Sequence, residues 1–205
     1  MAGGRGSRLG GGKASVELGG RALISYPLAA IEAAGLEAVV CAKPGQELPP
    51  LLGSSVGPGS TEEPSNEVPV LEEPARPRHP LCGVVAALRV GEGAEGPRAP
   101  TAVVAIACDM PFVSPDLVAH LAAAEDPLVV PSVGGRLHPL LGRYEPCLLP
   151  RLETALEREE PLTRTVESLD PRLLTEDDLS RFGDPRRLLF NVNDPDDVRQ
   201  AEALL

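Results

Sequence analysis

Residues 101–108 read Thr-Ala-Val-Val-Ala-Ile-Ala-Cys, seven apolar or small side chains after a threonine, and Asp109-Met110-Pro111 follows at once. Hydrophobicity that is continuous, not alternating, belongs to a strand covered on both faces, so this run demands a sheet with helices above and below it. The rest of the chain supplies both. The apolar run 38–41, between Gly35 and Pro44, and the run 68–71, ending at Glu72 and Glu73, read as further buried strands. Residues 128–131 and 140–144 are strand-like, and 188–192 reads as a last strand. Helices are expected over 22–34, with Leu23, Leu28 and Ile31 on one face, and over 84–90 and 148–157, with another ending near Ser168. A helix over 115–124 has Ser114 as its cap and Pro115 in first position; a final helix is capped by Asp194, with Pro195, Asp196 and Asp197 at its positive end. Strand and helix in alternation imply a doubly wound, mostly parallel sheet with right-handed crossovers. A chain of 205 residues suits one such domain, 1–205. Residues 43–69, dominated by Pro, Gly, Ser and Glu, read as a loop.

Ligands of such sheets lie at the carboxyl ends of the strands. That rule sets Cys41, Glu73 and Asp109 along one rim, together with the glycine-rich opening Ala2-Gly3-Gly4-Arg5-Gly6-Ser7-Arg8-Leu9-Gly10-Gly11-Gly12-Lys13. Glycines let successive N–H groups converge on an anion, and Arg5, Arg8 and Lys13 add positive charge, so a polyphosphate is the natural ligand. Two known phosphate loops are excluded. The G-x-x-x-x-G-K-[ST] pattern would need a glycine at Ser7 and a hydroxyl at Ala14, and G-x-G-x-x-G begun at Gly4 meets Leu9 instead of its third glycine.

Composition narrows the ligand further. The formal net charge is −11, and with no Trp, two Tyr and three Phe the chain has neither the positive surface nor the stacking platforms of a nucleic-acid binder. Cys41, Cys82, Cys108 and Cys147 make no C-x-x-C pair, which points to reduced thiols rather than a zinc or redox motif. The sequence shows no signal peptide and no apolar run of the roughly 20 residues that span a bilayer, so a soluble, cytoplasmic protein without a membrane partner is expected.

Two motifs carry the chemistry. Cys108-Asp109-Met110-Pro111-Phe112 ends the central strand in a carboxylate, which suits magnesium held by one protein oxygen with water and substrate phosphates completing the shell; the competing reading is an Asp that caps a turn before Pro111. Phe190-Asn191-Val192-Asn193-Asp194-Pro195 sets two amides on one face at strand spacing, able to donate to and accept from a polar ligand, or else reads as turn chemistry before a capped helix. His79, His120 and His138 read as surface or packing residues, and no Ser-His-Asp order stands at catalytic spacing. The acidic runs 157–160 and 176–178 read as solvated faces.

Taken together, A-G-G-x-x-x-R-L-G-x-x-K, H-P-L-C-G, C-D-M-P-F and F-N-V-N-D-P-D-D, in that order along the whole chain, resemble the molybdenum cofactor guanylyltransferase (MobA) family. The resemblance implies a Rossmann-like, three-layer α/β/α nucleotide-diphospho-sugar transferase fold and the magnesium-dependent transfer of GMP from GTP to molybdenum-bearing molybdopterin, with release of diphosphate. It implies that Met1, Ala2, Gly3 and Gly4 contact the nucleotide, that Lys13 and Arg8 act on its phosphates, and that Asp109 binds Mg2+. Cys41 stands where some members carry Asn, and Glu73 where they carry Asp; both fall among the nucleotide contacts, and a carboxylate at Glu73 matches the paired donors of guanine. Asn191 and Asn193 resemble the N-x-N that faces the pterin substrate. Molybdoenzymes or other cofactor-biosynthesis proteins are the implied partners.

The chain departs from the family at Gly12, where Asp often precedes the lysine, and at Asp194, which replaces a Thr. It also opens at Met1 directly on the loop, where the family has an apolar strand, so a short apolar N-terminal extension is expected in the physiological protein. Other activities compatible with these residues are cytidylyl transfer to the same cofactor, nucleotidyl transfer to another small phosphate, or non-catalytic carriage of nucleotide or cofactor.

Overall fold

A computed structural model describes residues 13–50, 68–92 and 101–205. The strands are β1 (Glu17–Leu18), β2 (Arg21–Ala22), β3 (Val40–Ala42), β4 (Val70–Glu72), β5 (Val103–Ile106), β6 (Leu128–Val133), β7 (Arg136–Leu137), β8 (Leu141–Tyr144) and β9 (Arg172–Leu174). The helices are α1 (Ser25–Ala33), α2 (Leu81–Glu92), α3 (Pro115–Ala123), α4 (Leu149–Glu157), α5 (Leu162–Ser168), α6 (Glu176–Leu179), α7 (Pro185–Leu188) and α8 (Pro195–Glu202). None of these helices is long and apolar enough to cross a membrane.

The three layers follow from the period-2 alternation of the strands. Ala105, Leu128 and Val130 face α2, α4 and α5, where Leu81, Val84, Leu88, Leu152 and Val166 are buried. Their neighbours Ile106 and Val129 face the opposite way, onto Leu117, Val118 and Leu121 of α3, Ala30 of α1 and Leu179 of α6. Each strand face therefore has its own helical layer, as the unbroken apolar runs require.

Parallel pairing joins β3 to β4 and β6 to β9. Strand β8 lies between β5 and β6 and runs antiparallel to both, a direction that the apolar pattern of 140–144 does not set. The cause is local. Gly134 and Gly135, with φ of 58° and 75°, close a two-residue turn between Val133 and Arg136, and two successive positive φ values match the twist of a hairpin. The chain therefore returns alongside β6 without a crossover helix. Gly142 then fits where no side chain would: a Cβ there would stand 2.8 Å from the Val129 carbonyl oxygen and 2.8 Å from Val130 Cγ1.

Three local expectations are corrected. The expected strand at 188–192 is the end of α7 followed by irregular backbone, because Asp184 caps that short helix by accepting from the Arg186 amide and Pro185 takes its first position. The helix expected from residue 22 starts at Ser25, since Ala22 is tied to Glu17 in the β1/β2 hairpin. Strand β9, next to β6, was not expected at all; two of its three residues are exposed, which hides it from an apolar-run search. Helix α8 is as expected: Asp194 accepts from the amides of Asp196 and Asp197, and Asp197 answers in a capping box.

Candidate functional site

Strand β5 delivers Asp109 to the carboxyl edge of the sheet, and three segments distant in sequence converge there. Lys13 begins a short 3-10 turn (Lys13–Ser15) anchored by the fully buried Ala14. Its Nζ donates to Asp109 Oδ2 at 2.7 Å and to Asn193 Oδ1 at 2.6 Å, so one ammonium bridges a carboxylate and an amide. The backbone closes the same circle, as the Val192 amide donates to the Asp109 carbonyl at 2.9 Å. Phe112 and Phe190 meet edge to face at 6.0 Å between centroids, and the Arg187 guanidinium lies 5.0 Å from the Phe112 ring centroid. These contacts weld the C-D-M-P-F segment to the F-N-V-N segment.

The two asparagines do not present a common face, because 188–193 is not a strand. Asn191 donates its amide to the Leu189 carbonyl at 2.8 Å. Asn193 turns its oxygen to Lys13 and its Nδ2 to the Asn191 carbonyl at 3.3 Å.

The Lys13–Asp109 pair is partly buried, its side chains 16% and 13% exposed. Asp109 Oδ1 is buried and has no partner among the described residues. A buried, unpaired carboxylate oxygen costs free energy, and a cation at that atom removes the cost. Among the described residues no group of three or more His, Cys, Asp or Glu converges to form a cage. The donor set therefore fits a hard cation that keeps water and takes ligand oxygens, as magnesium does beside phosphates, and does not fit a tightly caged metal.

A second cluster stands at the ends of β3 and β4. Parallel register sets Ala42 opposite Glu72, and the Glu73 amide donates to the Ala42 carbonyl at 2.7 Å, so Lys43 and Glu73 leave the two strands side by side. Lys43 Nζ lies 3.0 Å from Glu73 Oε2 and donates to the carbonyls of Pro74 at 2.7 Å and Pro77 at 3.3 Å. Glu73 is only 4% exposed. Cys41 is equally buried, with its Sγ 3.5 Å from the Gly83 carbonyl, and burial pushes its thiol up to about 11. Burial likewise pushes Cys108 up to about 11, so neither sulfur is a thiolate at neutral pH.

An apolar group of Ala14, Ile24, Val40 and Cys108 lies between the two clusters and seats the Lys13 turn against β3 and β5. Lys13, Asp109 and Asn193 are thus brought together; Cys41 and Glu73 form the neighbouring cluster; Asn191 bonds its own loop. Met1, Ala2, Gly3, Gly4 and Arg8 lie outside the described residues. Lys43 was missed by the sequence reading, although the carboxyl-edge rule that selects Glu73 applies to it equally, one strand over. His138 stays apart from these groups, and burial, helped by the charge of Arg136, lowers its pKa.

An open α/β sheet with a lysine and an aspartate paired at the carboxyl end of β5 is the frame of a Rossmann-like nucleotidyltransferase. Residues 1–172 match the sequence model of the MobA-like NTP transferase domain, and the chain belongs to that family. A molybdenum cofactor guanylyltransferase from Rhizobium leguminosarum bv. trifolii (strain WSM2304) is 31% identical over 212 residues, an alignment that covers 100% of this chain and 90% of the relative. A second, from Rhizobium johnstonii, is 32% identical over 211 residues with the same coverage. In fold, the chain resembles the crystal structure of molybdopterin-guanine dinucleotide biosynthesis protein A from Archaeoglobus fulgidus, with a TM-score of 0.73 and 24% identity over 99% of this chain and 95% of that one.

Proposed function

We propose that this nucleotidyltransferase moves the GMP unit of GTP onto the terminal phosphate of molybdenum-bearing molybdopterin and releases diphosphate, with Mg2+ bound at Asp109. Membership of the family supports the reaction type. The names of the full-length relatives support guanine as the base and the molybdenum cofactor as the acceptor. The observation that carries the reading is the Lys13 ammonium held between Asp109 and Asn193.

In this reading an oxygen of the acceptor phosphate attacks the α-phosphorus, the bond from that phosphorus to the bridging oxygen breaks, and the electron pair leaves with diphosphate. Such transfer asks for positioning and charge stabilisation more than for acid–base chemistry. Lys13, with Arg8 from the glycine loop, neutralises charge on the departing phosphates. Asp109 holds the cation through the oxygen that has no other partner among the described residues; when bound, that ion adds positive charge at the phosphate oxygens. Met1, Ala2, Gly3, Gly4 and Cys41 belong to the nucleotide side and Asn191 to the acceptor side, while Glu73, buried and paired with Lys43, holds the ends of β3 and β4.

The direct test mixes the full chain with molybdenum-loaded molybdopterin and magnesium, adds each of the four nucleoside triphosphates in turn, and follows diphosphate. Release with GTP alone is expected. Release with CTP alone reassigns the base, and nucleotide binding without turnover makes the protein a carrier.

A further inference from the structure

The two asparagines of the N-x-N segment differ in what they touch, and the difference separates their roles. Asn193 Oδ1 accepts from Lys13 at 2.6 Å, while its Nδ2 donates to the Asn191 carbonyl at 3.3 Å. An ammonium has only donors, so the amide can meet it only through its oxygen, and the bond to the Asn191 carbonyl fixes the same orientation from the other side.

The residue is also held at its backbone. Its amide donates to Asp197 Oδ2 at 2.7 Å, inside the capping box that starts α8, and the preceding residue, Val192, is tied to the Asp109 carbonyl. Helix α8 and strand β5 thereby fix where the Asn193 oxygen stands. A lysine on a flexible four-carbon stem has many rotamers to lose, and two fixed acceptors restrict it to one. Asn191 makes no such contact; its amide is used on Leu189.

We infer that Asn193 is a positioning residue for Lys13 on the nucleotide side of the site, and that only Asn191 of the pair serves the acceptor. This rests on the nucleotidyltransferase reading above. With Asn193 in place the ammonium stands ready at the phosphates; without it, Lys13 swings on Asp109 alone. The consequence is a division between substrates: losing Asn193 weakens the nucleoside triphosphate, and losing Asn191 weakens the phosphorylated acceptor.

The experiment is a double-mutant cycle on the full chain, with affinity for a non-hydrolysable GTP analogue measured by calorimetry in wild type, N193A, K13A and N193A/K13A. The KM for each substrate is measured alongside in N193A and N191A. Asn193 is exposed and its backbone amide, not its side chain, makes the capping contact, so N193A is expected to stay folded. A hydrogen bond to a charged group sets the scale, and N193A is expected to weaken the analogue about tenfold. In the K13A background the same change should have no further effect, because the role acts through the lysine. N191A is expected to leave the analogue's affinity unchanged and to raise KM for the acceptor only.

An equal loss from N193A in both backgrounds overturns the inference, as does a rise in the acceptor KM alone. Binding by wild type keeps the nucleotidyltransferase reading standing in those two cases. Absence of analogue binding by wild type overturns that reading, and the positioning role with it.

Discussion

Replacing Lys43 with methionine keeps the stem and removes the charge, which isolates the ion pair from the packing. The ammonium faces three acceptors: Glu73 Oε2 at 3.0 Å and the carbonyls of Pro74 and Pro77. Both side chains are largely buried, Lys43 at 17% and Glu73 at 4% exposure. At an effective dielectric of about 20, unit charges 3.0 Å apart attract by about 5.5 kcal/mol. Desolvation of both groups offsets most of that attraction, so the intact pair adds little net stability. Breaking it is a different matter, because K43M strands a carboxylate away from water. The expected loss is about 3–5 kcal/mol, which for a chain of this size lowers the melting temperature by about 6–20 °C. Urea unfolding of K43M and of K43M/E73M, followed by circular dichroism, separates the two terms. The double variant removes both charges and should recover most of the loss. A K43M midpoint within about 1 kcal/mol of wild type would show that water reaches Glu73 freely and refute the reasoning; so would a double variant no more stable than the single one.

Three further outcomes are expected. G142A should cost about 1–3 kcal/mol in a thermal melt, because the new Cβ meets the Val129 backbone oxygen at 2.8 Å and a backbone atom inside a ladder has no room to yield; an unchanged melt would show that β8 is not held between β5 and β6 as described. Cys147, the one exposed cysteine, should react with a thiol reagent at pH 8 in the native protein, with Cys41, Cys82 and Cys108 reacting only on unfolding. Stability should also fall as pH rises from about 9 toward 11. Cys41 and Cys108 have folded values pushed up to about 11 by burial, so the unfolded chain loses these protons first, and each thiol contributes a slope of about 1.4 kcal/mol per pH unit across that window. A flat unfolding midpoint from pH 8 to 10 would contradict that account.

What the sequence discloses depends on whether a feature is set by neighbours along the chain or by neighbours in space. The strand 103–106 was legible because it is apolar on both faces, and that in turn placed Asp109 at the sheet's edge. Asp194-Pro195 announced α8; Asp184-Pro185 carries the same signal for α7 and went unread, because the apolar run of 188–192 looks like a strand. The Gly134-Gly135 pair held the hairpin signal that turns β8 antiparallel, but strand direction becomes visible only once that turn is recognised. Lys13 and Asp109 were both readable as site residues. Their contact with each other and with Asn193 was not, since it joins positions 96 and 180 residues from Lys13.

Among the described residues the rim carries two lysine–carboxylate pairs, and their surroundings assign them opposite tasks. Lys43 is closed in: backbone carbonyls take its remaining donors, and its partner Glu73 is almost wholly buried, so the pair braces the ends of β3 and β4. Lys13 is as buried as Lys43 but has two described acceptors against three, its partner Asp109 is more exposed than Glu73, and the second oxygen of Asp109 has no described contact, so this pair has capacity left for a ligand. A pair that braces the frame should show its loss in stability, and a pair that meets a ligand should show it in binding. K13A is therefore expected to weaken a GTP analogue severely while leaving the urea midpoint closer to wild type than K43M does. A K13A variant less stable than K43M would mean that the Lys13 bridge is itself part of the frame, and that Asp109 is paired for folding and not for phosphate chemistry.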